Sequence, residues 1–329
     1  MTIVTNTFQS TAAVGNREEL SDVVSRITPE DTPVYSLIKK GSCKTTHPEW
    51  EYDELAAPGA NIQLEGDEYN FGATTPPTRV GNHTQIMRKS FIISNTQEAE
   101  NNAGRNEKTK EQKLKKGIEL RKDTEFAIVD NNASVAGATR ELGGLPSWIE
   151  TNVARGGSGA NGGFNSGTGL TVAATNGTLR TFTKALLDDT MQSCYQAGAN
   201  VTHASMSPYV KRVFTTFMSD SNVASFRYAA SGSSNSIVAT ADVYEGDFGK
   251  VMMMPNRVQA TSAGVARNVF LLDPNMAEFD WYRPIKEDKD IAKTGDAKKC
   301  VIIGEGTLKV KNEAGLGVVA DVFGLTATT

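Results

Sequence analysis

Between Thr96 and Asn131 the chain runs without a proline, through Glu, Lys, Gln, Arg and Leu, residues that lose little rotamer freedom in a helix. One helix over the whole stretch would be roughly 54 Å long at ~1.5 Å per residue, more than the width of a small domain. Thr96 is the expected N-cap, with Glu98 in the first turn. Glu111 and Lys115 stand at the favourable i,i+4 spacing. Leu114, Ile118 and Ile128 mark an apolar stripe, joined by Phe126, Ala127 and Val129, and no large apolar residue lies between Gly104 and Leu114. A helix polar nearly all round must lie on a surface or bridge two bodies. A coiled coil is excluded, because the residues seven positions after Leu114 and Ile118 are Arg121 and Glu125. Residues 105–122 are rich in Lys and Arg, yet no dimerising zipper accompanies them. The stretch reads as a structural spine.

The rest of the chain must supply the core that this helix lacks. Its 329 residues suffice for two domains, and a net charge of −4 argues against a surface that coats nucleic acid. Cys43, Cys194 and Cys300 are odd in number and far apart, so neither a disulfide framework nor a zinc site is expected, and a reducing compartment is. The start, MTIVTNTFQS, has no basic and apolar leader pattern, and no apolar run approaches a membrane span.

Ahead of the spine, residues 1–14 read as an arm, followed by a short helix near Arg17 to Ile27 and a turn at Pro29 and Pro33. HPEWEYDE alternates as a half-exposed strand does, and so does TQIMRKSFIIS, with Met87, Lys89, Phe91 and Ile93 on one side. The segment between them holds Pro58, Gly59, Gly66, Gly72, Pro76 and Pro77, so the expected unit is an extended hairpin. After the spine, VARGGSGANGGFNSGTG contains G-x-G-x-x-G at Gly157, Gly159 and Gly162. A dinucleotide site needs a strand before and a helix after, and no helical start follows, so a flexible surface loop is expected. From Thr178 the pattern is α/β. One helix places Phe182, Leu186, Thr190 and Cys194 on a face, and a second opens at Pro208 with Val210, Val213, Phe214 and Phe217 on a face. Residues 219–236 form a Ser-, Ala- and Asn-rich excursion. Short strands follow, including a buried one at Met252 to Met254, one interrupted by Pro284 and one from Cys300, with the charged loop KEDKDIAKTGDAKK between the last two.

Catalysis has little to stand on. His47 and His83 flank the hairpin tip and could face each other across it, where a surface pair outweighs a metal pair lacking a third ligand. His203 leads into a strand with no G-x-S-x-G elbow. Glu49, Glu51, Asp53 and Glu54 read as a solvated or partner-facing strand edge, not a carboxylate dyad. No enzyme, cofactor or metal is expected.

Five segments carry a resemblance: GNREELSDVVSRITPEDTP, the W-x-x-D-x-L-A-A of EWEYDELAA, TRVGNHTQI, ELRKDTE followed by NNASVAG, and AKTGDAKK. With the order of arm, hairpin, spine, glycine-rich loop, α/β unit and returning strands, the chain resembles the major capsid proteins of tailed bacteriophages, from Gly15 to Glu313. That likeness implies the α+β Hong Kong 97 fold. Residues 1–42 would be the N-arm, 43–95 the E-loop hairpin, 96–177 the spine helix and P-domain with the glycine-rich loop, 178–275 the A-domain, and 276–329 returning P-domain strands and the C-terminus. It implies a subunit of the icosahedral head around packaged double-stranded DNA, assembled in the host bacterial cytoplasm; the alternative is an encapsulin-like compartment shell. The expected partners are other copies in hexamers and pentamers, portal, scaffold or decoration proteins, and DNA met on the inner face without sequence specificity, with no membrane. The expected inter-subunit contacts are Glu49, Trp50, Glu51, Asp53, Glu65, Asp67 and Glu68 on the hairpin and Lys113, Lys115 and Lys116 on the spine.

Overall fold

The computed structural model describes residues 28–69, 71–100, 108–219 and 242–324. The arm, the helix expected near Arg17 to Ile27 and, but for Ser219, the 219–236 excursion lie outside them. In chain order the elements are α1 (Pro33–Leu37), β1 (Lys39–Ser42), β2 (Glu49–Tyr52), β3 (Thr78–Gly81), β4 (Gln85–Ser94), α2 (Asn95–Ala99) and α3 (Lys108–Val129). There follow α4 (Leu145–Trp148), β5 (Val153–Ala154), β6 (Gly163–Asn165), β7 (Leu170–Val172), β8 (Arg180–Thr181), α5 (Lys184–Gln196), β9 (His203–Met206) and α6 (Pro208–Thr215). The chain then forms β10 (Val243–Gly246), β11 (Gly249–Pro255), β12 (Val269–Leu272), β13 (Ala277–Asp288), β14 (Ala297–Val310), β15 (Leu316–Val319) and β16 (Val322–Gly324).

The spine is shorter than expected. Ser94, not Thr96, caps α2 by accepting from Gln97 N at 3.2 Å, and the helix stops at Glu100, whose backbone is extended. Among the described residues the long helix α3 spans 22, about 33 Å at ~1.5 Å per residue. Its buried stripe is Leu120, Thr124, Ala127 and Ile128. Leu114, expected on that stripe, is 72% exposed. Two turns before Leu120 the stripe reaches Lys113, and Leu114 lies about 100° round the helix from that position, off the stripe.

Two sheets organise the body. The first has the order β1-β13-β14-β4, with α3 lying against β4 and β14. Lys89 of β4 reaches Asp123 at 2.6 Å, and Thr124 Oγ1 lies 3.7 Å from Met87 Sδ, so of the two sides of β4 the one with Met87 and Lys89 meets α3. The hairpin, however, pairs differently from the expectation. β2 pairs with β3, from Glu49↔Gly81 to Tyr52↔Thr78, whereas β4 pairs with β14 from Ser94↔Ala297 to Gln85↔Gly306. A strand whose alternate residues are apolar gains more from a long partner backed by a helix than from a short exposed ladder. β13 runs through Pro284 instead of stopping, with register shifts between Trp281 and Arg283 and between Arg283 and Lys286. A bulge accommodates a residue that cannot donate to the ladder.

The second sheet has the order β10-β11-β9-β12-β15-β5. All four residues of β12 are buried, but they feed different cores. Phe270 and Leu272 join Leu120, Ile128, Trp148 and Phe279; Val269 and Leu271 join Leu187, Met191, Met206 and Phe214. β15 divides the same way, Leu316 and Val318 to one side and Val319 to the other. The middle of this sheet is the wall between two cores, which is why VFLL is a continuous apolar run. The sequence at Met252 to Met254 lies at an outer position, and there only Met253 is fully buried while Met252 is exposed.

The helices on the second core begin where their caps stand. Thr183 Oγ1 accepts from Leu186 N and Ser207 Oγ from Val210 N, with Pro208 opening α6. Gly198, at φ +88°, ends α5. The glycine-rich segment is not the open loop expected. It folds into the β6–β7 hairpin, bridged at Ala160↔Thr175, and its Gly162 is buried where any Cβ would overlap the Pro146 carbonyl. These glycines permit close backbone packing.

Candidate interaction surface

Four residue pairs hold the hairpin, and its base is anchored to its own chain. Trp50 Nε1 donates to Val310 O at 2.8 Å, and the Trp50 ring lies 5.6 Å from that of Trp148. Tyr52 also packs against the first core. Trp50, expected at an inter-subunit contact, and Tyr52 are thus anchored within their own chain. Glu49 is bonded to Arg79 and lies 3.8 Å from His47, so it too has partners at home.

Beyond Tyr52 the surroundings change. Residues 53–77 contain no regular element among the described residues, and their side chains are exposed. Leu55, Ile62, Leu64, Tyr69 and Phe71 project into solvent, with Phe71 at 90%. Glu51, Asp53, Glu65, Asp67 and Glu68 are exposed among them, the last three around a turn in which Gly66 takes φ +81°. From residue 45 to 78 the chain has acids and no Lys or Arg. An exposed strip of large apolar and acidic side chains is a surface that lacks its other half.

The lysines expected to complement it are partly engaged. Lys113 meets Glu287 at 2.7 Å, and that hydrogen bond holds its ammonium above the usual value. Lys116 meets Glu119 at 2.8 Å, while Lys115 is exposed. Lys113 also lines an open cavity of about 410 Å³ with Lys293 from the β13–β14 turn and Lys298 and Lys299 from the start of β14. The charged run KEDKDIAKTGDAKK signalled that turn, but its meeting with α3 is a tertiary fact.

His47 and His83 do stack, with centroids 4.1 Å apart and planes 24° apart, half-buried at the base of the hairpin. Burial, then His47, then Arg140 push His83 below the ordinary histidine value. Among the described residues no group of three or more His, Cys, Asp or Glu is placed to hold a metal ion. No described helix is long and apolar enough to cross a membrane. Three buried polar residues carry more of the architecture than the sequence reading assigned them. Asn82 donates to Gly143 O and Leu308 O and accepts from Gly143 N. Glu305 accepts from Thr84, Arg140 and Arg283 at 2.7, 2.7 and 2.9 Å. Glu125 is the third.

A family model for the SU10 major capsid protein matches residues 3–323. The chain belongs to the SU10 major capsid protein family. Its curated relative, the major capsid protein of Escherichia phage Phieco32, is 32% identical over 120 residues, 36% of this chain and 34% of the relative, so the match spans about a third of that relative's length. Among solved structures, this capsid-family chain is similar to the capsid of a native GTA particle (TM-score 0.59, 11% identity, 95% of this chain and 98% of that one). It is equally similar to the capsid asymmetric unit of cyanophage A-1(L) (TM-score 0.58, 11% identity, 95% and 98%). At such identity the likeness is one of fold, and that fold is the expected Hong Kong 97-like α+β fold. The comparisons answer to the phage branch, not to the encapsulin-like alternative.

Proposed function

We propose that this capsid-family chain is the repeating subunit of an icosahedral phage head, built from hexamers and pentamers and enclosing double-stranded DNA. The family match over residues 3–323 carries the proposal. The hairpin tip supports it: its exposed apolar side chains have no cover among the described residues, and a second copy supplies it. The role is architectural and not enzymatic. Residues 53–77 of one copy meet the lysine-bearing side of α3 and the β13–β14 turn in another, acid against base. Single exposed pairs contribute only ~0–1 kcal/mol, so repetition over the shell gives the contact its strength. Assembly takes place in the host bacterial cytoplasm, with portal, scaffold or decoration proteins as further partners and DNA held inside by charge alone.

Negative-stain microscopy and size exclusion of the purified protein, with and without crowding agent or scaffold, test this reading. Closed shells or capsomers are the expected result. A compact monomer at every concentration and condition would overturn it.

A further inference from the structure

We propose that Glu125 is a protonation-dependent latch that ties residues 28–42 and the turn after β11 to α3. Glu125 is fully buried on α3 and receives three donors from two distant parts of the chain. Val34 N reaches Oε1 at 3.0 Å and Tyr35 N reaches Oε2 at 2.6 Å, which uses the two free amides at the start of α1. Asn256 Nδ2, one residue past β11, reaches Oε1 at 2.6 Å. Asn256 Oδ1 in turn accepts from Val258 N and Gln259 N, and Gln259 bonds Ser205 of β9. The carboxylate is thus the point where the N-terminal segment, the spine and the second sheet meet.

Its chemistry suits a latch. Only an acceptor with two oxygens can face two backbone N–H groups and an amide together. No cation pairs with it among the described residues. Arg121, one turn earlier, lies against the Tyr35 ring at 5.9 Å and contacts Thr32; Lys40 also covers that ring, at 4.8 Å. Asp31 pairs with Arg257 at 3.3 Å, Asp123 with Lys89 at 2.6 Å, and Asp130 accepts from Ser262. Burial pushes the Glu125 carboxyl above 4.5, against the pull of its three hydrogen bonds. In an opened state the carboxyl would be in water with its ordinary value. The closed state therefore binds the proton more readily, gains on the open state as pH falls through the raised value, and loses as pH rises through it. At neutral pH the latch holds a buried charge that opening would return to water.

Hydrogen exchange on the full-length unassembled protein, corrected for intrinsic rates, tests this between about pH 8 and 4.5. Peptides covering residues 28–42 and 254–260 should both gain protection as pH falls, while a β12 peptide keeps its own. In Glu125→Gln both gains should vanish, with Tyr35 least protected because the amide group then faces its N–H. Unchanged protection of the two wild-type segments relative to β12 would overturn the proposal, whether or not the variant folds. So would the same pH response in Glu125→Gln, or a response in one segment only.

Discussion

Phe270 and Leu271 of β12 are wholly buried, whereas Phe71 and Leu64 of the hairpin tip are 90% and 78% exposed. The side chains are alike and their surroundings opposite. β12 has strands on both sides and a core on each face, so every residue finds neighbours whichever way it points. The tip hangs from four residue pairs and has no second layer among the described residues. Burial is worth roughly 1.5–3 kcal/mol for a large apolar side chain, so one region holds the subunit together and the other reserves the same driving force for another molecule.

The largest effect should separate the two regions. Phe270→Ala should cost about 3–5 kcal/mol in chemical denaturation, as truncation inside the first core leaves a cavity. Phe71→Ala should change the stability of the unassembled chain by no more than about 0.5 kcal/mol. Equal losses would mean that the tip packs on its own subunit.

Next comes the polar part of the first core. Glu305→Ala should destabilise on the order of 3 kcal/mol, because Arg140 and Arg283 lose their buried partner. Burial raises the Glu305 carboxyl, but the bonds from Thr84, Arg140 and Arg283 outweigh it and hold it below 4.5. Its contribution is therefore complete above the unfolded value and lost as pH falls through the lower folded one. The gap between wild type and variant in denaturation experiments should narrow below about pH 4.5 and stay constant above. A gap that widens with acid would refute the assignment.

The tip is probed directly by replacing Leu64, Tyr69 and Phe71 together with Ser. Denaturation of the unassembled chain should be unaltered, while assembly yield should drop at least tenfold, since ~1.4 kcal/mol lost per contact already gives that factor. Normal shells from this variant would show that the tip meets nothing.

The smallest effect is electrostatic. Reversing Glu65, Asp67 and Glu68 to Lys should lower assembly yield at low salt, and the difference should shrink once the Debye length nears ~8 Å. Reversal of Lys113, Lys115 and Lys116 to Glu should restore it. Lys115 gives the cleanest rescue, because Lys113 and Lys116 already hold Glu287 and Glu119. Yield indifferent to both reversals would remove charge from the contact and leave only its apolar part.

Local chemistry was legible in the chain before any coordinates. The start of α6 at Pro208, the end of α5 at Gly198, the two-sided alternation of β4 and the turn-rich tip all follow from rules that act within a turn of helix or a few residues of strand. The family likeness was legible too, in short segments spread along the chain. Strand pairing was not. β4 meets β14 across some two hundred residues, and alternation tells which side of a strand faces inward but not which strand lies beside it. The same limit hid the buried stripe of α3, the closed packing of the glycine-rich segment, and the use of Trp50 and Glu125 as ties to distant elements. A polar residue in a mostly charged helix looks solvated until its long-range donors are known. Those donors come from segments that only the folded chain brings together.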